Sequence, residues 1–374
     1  MNVLGLCSYP IESAATRYRL IQFVEPLAQK GINLEVSAFL DSEQFSLLYK
    51  NKSLFQKAFG IWKPLLHRFS ESFEMRKYDL LLVQREAMFF GPAFFERLFQ
   101  QIGQTPLILD LDDATYISYV SPTYGKLGSF FKFFGKTDNL ISRADAVICG
   151  NRFIAEYVER KGTKTVVVPT VVDTDKFRPI EKGNEVPVIG WIGTHSTFPW
   201  LESLFPVLRE LSKKYDFTLK IVGAGKDKVE VEGIALENLK WSLAREVEDF
   251  QSLDIGLYPI ETSSSANQEW LLGKSGFKAI QYMSIGIPFV VTPIGVCAEL
   301  GIENKTHFVA STEEQWFKAL KELLESTELR RQMGSKGRKY ALANFTVSQQ
   351  ADKVANVFRS AIEKGQQKIK TEFL

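Results

Sequence analysis

The chain is expected to be an α/β protein of two Rossmann-like domains with parallel sheets, and three features of its sequence predict this. Short apolar and β-branched runs alternate with helical patterns along most of its length, as in doubly wound parallel sheets. At 374 residues it is longer than one such domain and suits two. A polar stretch, EKGNEVP, interrupts the alternation after residue 180, and a fresh strand begins at Val188. The boundaries that follow are 1–171 for a first domain, 186–346 for a second, and 347–374 for a terminal helix.

Composition narrows the class. Hydrophobic residues make up 45% and charged residues 24%, as in ordinary soluble globular proteins. A net charge of +2 is too small to argue for nucleic acid as a partner. Cys7, Cys149 and Cys297 are odd in number and far apart, which suggests a reducing, cytoplasmic setting rather than a disulfide frame. No apolar run reaches the length of a membrane span, and the chain enters its first strand without a signal-peptide pattern.

Asn2 to Cys7 reads as the first strand and Arg19 to Lys30 as the first helix. The loop between them lies at the carboxyl end of a strand, where open α/β sheets bind ligands. Arg17 and Arg19 at its end are candidates for holding an anion, or else first-turn surface residues. After a second strand, Asn33 to Phe39, the stretch Lys50 to Lys77 interleaves Lys50, Lys52, Lys57, Lys63, Arg68, Arg76 and Lys77 with Phe55, Phe59, Trp62, Leu65 and Phe69. Such a pattern suits an anionic membrane surface, or an amphipathic helix packed on its own domain. Phe130-Phe131-Lys132-Phe133-Phe134 repeats the theme.

Asp79 to Gln84 and Leu107 to Leu111 are further strands, the second ending in LDLDD. Asp145 to Gly150, a helix from Arg152, and Thr165 to Pro169 complete the first domain. In the second domain the strand Val188 to Gly193 runs into Thr194, His195, Ser196 and Thr197. Backbone N–H groups and hydroxyls at a helix start make a phosphate-friendly composition. A lone histidine such as His195 is more often a structural hydrogen-bonder than a catalyst. Leu219 to Val222, Leu239 to Trp241 and Asp254 to Tyr258 are strands, and Gly223-Ala224-Gly225 is a turn that lacks the third glycine of a dinucleotide fingerprint.

The densest signal is EWLLGKSGFKAIQYMSIGIPFVVTP, from Glu269 to Pro293. Gly273, Lys274, Ser275 and Gly276 form a loop of small residues; Phe277 to Ser284 has helical spacing; Gly286 suits a helix C-cap and Pro288 a stop. Phe289-Val290-Val291 suits a buried parallel strand. A helix start beside such a sheet is a ready anion site. Lys274, Lys278, Gln281 and Tyr282 fall on one side of this helix, expected to be its polar face. Two lysines at the positive end of a helix are unfavourable unless an anion is bound there, although a solvated lysine face has the same spacing.

GKSGFKAIQYMSIGIPFVVTPIG resembles the donor-binding segment of the family-4 retaining glycosyltransferases (glycosyltransferase group 1), which have the GT-B fold. A branch of that family writes it as GK-x-x-F-K-x-x-x-Y-M-x-x-G-x-P. VVVPTVVDTDKFRP resembles the family's domain-crossing signature, with Thr170-Val171 in place of Asn-Gly. The resemblance is specific at these two stretches and diffuse elsewhere. It implies two Rossmann-like domains facing a cleft, with the helix from Val347 to about Lys364 crossing back to the first domain.

The resemblance also implies a reaction: transfer of a sugar, with retention, from a nucleotide-sugar donor to a glycan or lipid-linked acceptor, as in cell-surface polysaccharide synthesis. The basic and aromatic stretches raise peripheral contact with the inner face of the membrane; no cofactor is expected, and no metal, since the donor-like segment offers lysines, helix amides and hydroxyls while the acidic cluster lies in the first domain. Lys274 and Lys278 would answer the leaving diphosphate, with Gly193 to Thr197 closing over it. Asp110, Asp112 and Asp113 would lie on the acceptor side, Asp110 and Asp113 as catalytic candidates, with Arg17 and Arg19 beside them. Asp110-x-Asp112 also matches the metal motif of GT-A enzymes, but the donor-like segment lies far downstream in another domain. The family's two glutamates, separated by seven residues, fall here on Gly273 and Gln281. Gln281 retains hydrogen bonds to ribose without the charge, and Glu269 is the nearest replacement for the first. A nucleotide-sugar 2-epimerase and a catalytically silent scaffold are the rival readings.

Overall fold

A computed structural model describes residues 1–49, 60–118, 132–181, 184–262 and 268–372. The chain divides into two compact units, one of residues 1–170 with 347–374 and the other of residues 171–346.

The first unit runs β1 (Asn2–Cys7), α1 (Ala14–Arg19), α2 (Val24–Ala28), β2 (Asn33–Ala38), α3 (Ser42–Tyr49), α4 (Trp62–Ser72), β3 (Leu80–Gln84), α5 (Phe94–Gly103), β4 (Leu107–Leu111), α6 (Gly135–Arg143), β5 (Ala146–Cys149), α7 (Arg152–Arg160) and β6 (Thr165–Val167). Its strands form one parallel sheet in the order β2-β1-β3-β4-β5-β6. β3, β4 and β5 are buried at every position, which explains their continuous apolar runs. Carboxylates fix the strand starts: Asp79 accepts from the Asn2 N–H at 2.7 Å and Asp145 from the Leu107 N–H at 2.9 Å. Asn151 caps α7 by accepting from the Ile154 N–H at 2.9 Å.

The second unit runs β7 (Val188–Ile192), α8 (Phe198–Glu202), α9 (Phe205–Ser212), β8 (Thr218–Val222), β9 (Ala235–Leu239), α10 (Glu246–Gln251), β10 (Ile255–Tyr258), α11 (Gln268–Leu272), α12 (Phe277–Ile285), β11 (Phe289–Val291), β12 (Phe308–Val309), α13 (Glu313–Glu325) and α14 (Thr327–Asn344). Its parallel sheet has the order β12-β11-β10-β7-β8-β9. The last helix, α15 (Val347–Glu372), belongs to the first unit, where it packs on α2, β4 and β5.

Three expectations about elements are corrected. The first helix begins at Ala14 and breaks before Val24, so Pro26 falls in the opening turn of α2, where its missing N–H costs nothing. The strand expected at Leu239 to Trp241 is instead β9, set by its ladder with β8 from Thr218↔Ala235 to Val222↔Leu239. The terminal helix runs eight residues past Lys364, to Glu372. The segment from Val171 to Pro179 sits with the second unit because Arg338 on α14 donates to the carbonyls of Thr174 and Phe177, each at 2.8 Å.

The basic and aromatic stretch is partly corrected as well. Residues 50–59 and 130–131 lie outside the described residues. On α4, Arg68 is not a surface cation: it is 1% exposed and donates to the Cys7 carbonyl at 3.1 Å and to the Ser37 hydroxyl at 2.9 Å. Leu65 packs on the core. Trp62, Leu66, Phe69 and Phe73 are the exposed apolar residues of this region, alongside Lys63 and His67. Among the described residues no helix is long and apolar enough to cross a membrane.

Candidate functional site

In each sheet the strand order reverses direction at one place, which opens a crevice at the carboxyl ends of the strands. In the second unit the reversal falls between β7 and β10, because the chain builds β8 and β9 on one side and β11 and β12 on the other. The loops after β7 and β8 meet there. A Cβ on Gly223 would lie 2.3 Å from the Gly193 carbonyl oxygen, and one on Gly225 would lie 2.5 Å from the His195 Cβ. Both glycines also have positive φ, so the turn they form needs glycine on two counts. Thr194, His195 and Ser196 are exposed, and Gly193 and Thr197 are half-buried. The Thr194 hydroxyl lies 2.9 Å from that of Ser196, and the Thr194 carbonyl accepts from the Thr197 and Phe198 N–H groups.

α12 starts at Gly276, in the left-handed region at φ 63°, and ends at Gly286, at φ 72°. A Cβ on Gly276 would come within 2.5 Å of Leu300, so the loop before the helix is pressed against the segment after β11. Within that loop Gly273 is buried and Ser275 and Phe277 are half-buried; Glu269 is exposed on α11. The Lys274 ammonium stands 3.4 Å above the centre of the Trp270 ring, a cation–π contact that fixes its place. Lys278 keeps part of its surface open but stands deep among protein atoms. Burial brings its pKa down to about 8, Glu246 opposes the fall, and Lys274 adds to it. Glu246, at the start of α10, is itself only 8% exposed.

The polar face expected on α12 is not there. Gln281 is 2% exposed, and Tyr282 is fully buried, its hydroxyl donating to the Leu257 carbonyl at 3.0 Å. The reason is packing on two sides, by the sheet and by α14. A Cβ on Gly334 of α14 would lie 2.0 Å from the Gly286 carbonyl oxygen, so the two helices approach at backbone distance. Of the four residues only Lys274 and Lys278 keep open surface.

In the first unit the reversal falls between β1 and β3. Arg17 and Arg19 lie inside α1 and are 8% and 5% exposed, so they are not surface residues. Arg17 donates to the Ile11 and Glu12 carbonyls at 2.9 and 3.0 Å. Arg19 forms a buried two-pronged pair with Asp110, one prong at 2.9 Å, and donates to the Val168 carbonyl at 2.7 Å. Burial pushes the Asp110 carboxyl upward and Arg19 pulls it back.

Asp112 accepts from Arg85 at 2.6 and 2.8 Å and from Gln84 at 3.0 Å. Burial would raise its pKa, but the Arg85 charge and hydrogen bonds outweigh that and hold it below the usual range. Asp113 is the most exposed of the three, 3.8 Å from Arg85. Arg85 itself has φ 60°, an uncommon backbone state for arginine, and its N–H donates to the Asp110 carbonyl at 2.8 Å. The acidic run is thus divided, with Asp110 inside a buried ion pair and Asp112 and Asp113 at the carboxyl edge with Arg85.

Residues 186–326 match the family model described as glycosyl transferases group 1. The match spans most of the second unit and none of the first. Among solved structures, the chain resembles a glycosyltransferase from Rickettsia africae at 14% identity and a TM-score of 0.67, covering 96% of this chain and 98% of that one. It also resembles Anabaena HepE in complex with UDP-glucose, at 16% identity and a TM-score of 0.68, covering 96% and 100%. Sucrose-phosphate synthase from Thermosynechococcus elongatus matches at 13% identity and a TM-score of 0.67, covering 97% and 100%. At these identities the likeness is one of fold, the two-sheet GT-B architecture. By sequence alone no curated relative matches.

Three residues of the candidate site were not singled out from sequence. Glu246 had no signal beyond an acid in a first turn. Trp270 was visible only as a neighbour of Glu269. Arg85 follows a buried strand, and nothing local reveals that its guanidinium reaches Asp112. Among the described residues no group of three or more His, Cys, Asp or Glu side chains is placed to hold a metal.

Proposed function

We propose that the protein is a glycosyltransferase that moves a sugar from a nucleoside diphosphate donor, with retention, to a glycan or lipid-linked acceptor, and does so without a divalent metal. The observation that carries this is Lys278: a lysine in the first turn of α12, held near pKa 8 by burial and by a second lysine. Two cations in one partly buried place repel each other until an anion joins them. A diphosphate is such an anion, and its charge grows as the bond from the sugar C1 to the diphosphate oxygen breaks. The ammonium groups therefore stabilise the transition state more than the ground state. The fold likeness to a protein that binds UDP-glucose makes that sugar nucleotide the first donor to try. The acceptor is assigned to the carboxyl edge of the first unit, where the half-buried Asp113 offers hydrogen bonds to hydroxyls beside the Arg85–Asp112 pair. Synthesis of a cell-surface polysaccharide at the inner face of the membrane is the setting that fits.

UDP release from UDP-glucose, followed with and without candidate acceptors, tests the donor assignment. Activity in excess EDTA should match that in magnesium, since lysines and helix amides already meet the diphosphate charge. Turnover lost on chelation and restored by manganese would reject the metal-free reading.

The exposed face of α4 gives a second test. Trp62, Leu66, Phe69 and Phe73 are 64, 52, 45 and 60% exposed, next to Lys63 and His67. The protein should pellet with phosphatidylglycerol vesicles at low salt and come off at high salt. No pelleting at low salt would leave this face as ordinary surface.

A further inference from the structure

A cavity of about 260 Å³ lies at the amino edge of the first unit's sheet, between the last two strands and α15. Asp145 and Ala146 line it at the start of β5, and Lys164 and Val166 at the start of β6. From α15 come Lys353, Asn356, Ser360 and Lys364, three or four residues apart and so on one face of the helix. β5 is four residues long, so the cavity stands about 13 Å from the carboxyl edge to which the acceptor is assigned. It belongs neither to that edge nor to the donor segment.

Three lysines meet one carboxylate there. Among the described residues Lys164, Lys353 and Lys364 make no side-chain hydrogen bond or ion pair. Other lysines of the same unit are answered: Lys30 by Asp352 at 2.6 Å, and Lys136 and Lys161 by Glu86 and Asp138, each at 2.9 Å. Asp145 accepts from the Leu107 N–H at 2.9 Å and is ion-paired to none of the three. Three ammonium groups less one carboxylate leave the lining with two positive charges. The side chains of Asn356 and Ser360 are likewise without hydrogen bonds among the described residues. Ala146, Val166 and Val357 supply a small apolar wall.

We infer that this cavity binds a small metabolite carrying two anionic groups on a short hydroxylated body, with the chemistry of a sugar bisphosphate. Lys353 and Lys364 are eleven residues apart, about 16 Å along the helix axis. Cations that far apart suit two separate anions better than a single phosphate. Lys164 adds a third ammonium from the strand side. Asn356 and Ser360 stand between the two helix lysines, where they offer donors and acceptors to hydroxyls. Like charges gathered without a counter-ion repel one another, and a bound dianion relieves that repulsion. The ligand would join α15 to β5 and β6 and so stabilise the docking of the terminal helix. The site stands independently of the proposed glycosyl transfer.

The test uses the full chain and calorimetry at low salt, with fructose 1,6-bisphosphate, glucose 6-phosphate, inorganic phosphate and glucose as probes. The bisphosphate should bind at least about tenfold tighter than either monoanionic-site probe, the worth of one more charge-assisted contact, and glucose should not bind. Lys353→Gln and Lys364→Gln, each alone, should bring the bisphosphate to within about twofold of glucose 6-phosphate, because one anion has then lost its partner. The double variant Lys164→Glu, Lys353→Glu changes only exposed side chains, so folding is not at issue, and it should abolish binding of both sugar phosphates. The bisphosphate should raise the melting temperature of the wild type and leave that of the double variant unchanged. Saturating UDP, or Lys278→Ala, should leave the bisphosphate affinity within about twofold of its wild-type value, since no group of this cavity is involved.

Equal affinity for the bisphosphate and glucose 6-phosphate would overturn the inference, as would wild-type affinity in the double variant. Binding abolished by UDP or by Lys278→Ala would move the anion to the donor segment and overturn it too. So would pelleting on phosphatidylglycerol vesicles that the double variant loses, with no binding of the bisphosphate, since the lysines would then form a membrane surface. Bisphosphate binding in a protein that neither binds nor turns over UDP-glucose would count against the donor reading alone and leave this site standing.

Discussion

Replacing Lys278 with alanine is expected to lower turnover of the sugar nucleotide by about a hundred- to a thousandfold, the usual effect of removing one preorganised charge partner from a developing anion. The fold should survive, because burial and Lys274 cost this ammonium more than Glu246 returns to it. Its pKa near 8 means that the folded state disfavours the charge. The unfolded chain, with an ordinary lysine, binds more protons between about pH 8 and 10.5, so stability should rise with pH across that window. At neutral pH the full penalty is present. Lys278→Met should therefore raise the melting temperature of the ligand-free protein by several degrees while removing activity.

Activity should run the other way with pH. As pH rises through about 8 the free enzyme loses the Lys278 charge, and kcat/KM should fall. A bound diphosphate favours the ammonium, so the corresponding limb of kcat should move to higher pH. Kinetics of wild type and Lys278→Ala from pH 6 to 10 decide the matter. A variant that turns over like wild type, or a kcat/KM that stays flat through pH 9, would remove Lys278 from the donor site.

The buried strands of both sheets were legible because buried parallel strands carry an unmistakable local pattern, as LLLVQ, LILDL and IGLY do, while the more exposed β9 was misplaced and β12 missed. The ends of α12 were legible for a similar reason: Gly286 and Pro288 state their backbone requirements in the sequence. Its polar face was not. Helical spacing placed Gln281 and Tyr282 beside the lysines, but whether that side meets water depends on what packs there. Here it is α14, brought close by Gly334 some fifty residues later. The run LDLDD was visible as an acidic cluster, yet the environments of its members differ because their partners come from other strands and helices. Arg19 on α1 takes Asp110, and Arg85 after β3 takes Asp112. Long-range pairing of this kind leaves no local trace, and it gives two neighbouring buried carboxylates, Asp110 and Asp112, different counter-ions and opposite pKa shifts.

That separation has a measurable consequence. Arg19→Met should destabilise the first unit by about 3–5 kcal/mol, because it strands the Asp110 carboxylate in the interior without its counter-ion. Asp110 is 3% exposed and Arg19 5%, so water cannot take the partner's place. Removing both charges, as Arg19→Met with Asp110→Leu, should recover most of the loss, since a buried pair replaced by apolar groups of similar size is often close to neutral. Denaturant unfolding of the two single variants and the double variant gives the coupling directly, and a value of at least about 2 kcal/mol is expected. UDP affinity should stay within twofold of wild type throughout, because the proposed donor residues lie in the other unit. A stable Arg19→Met protein that binds UDP but no longer transfers sugar would reverse this assignment, returning Arg19 and Asp110 to the acceptor side on which the sequence first placed them.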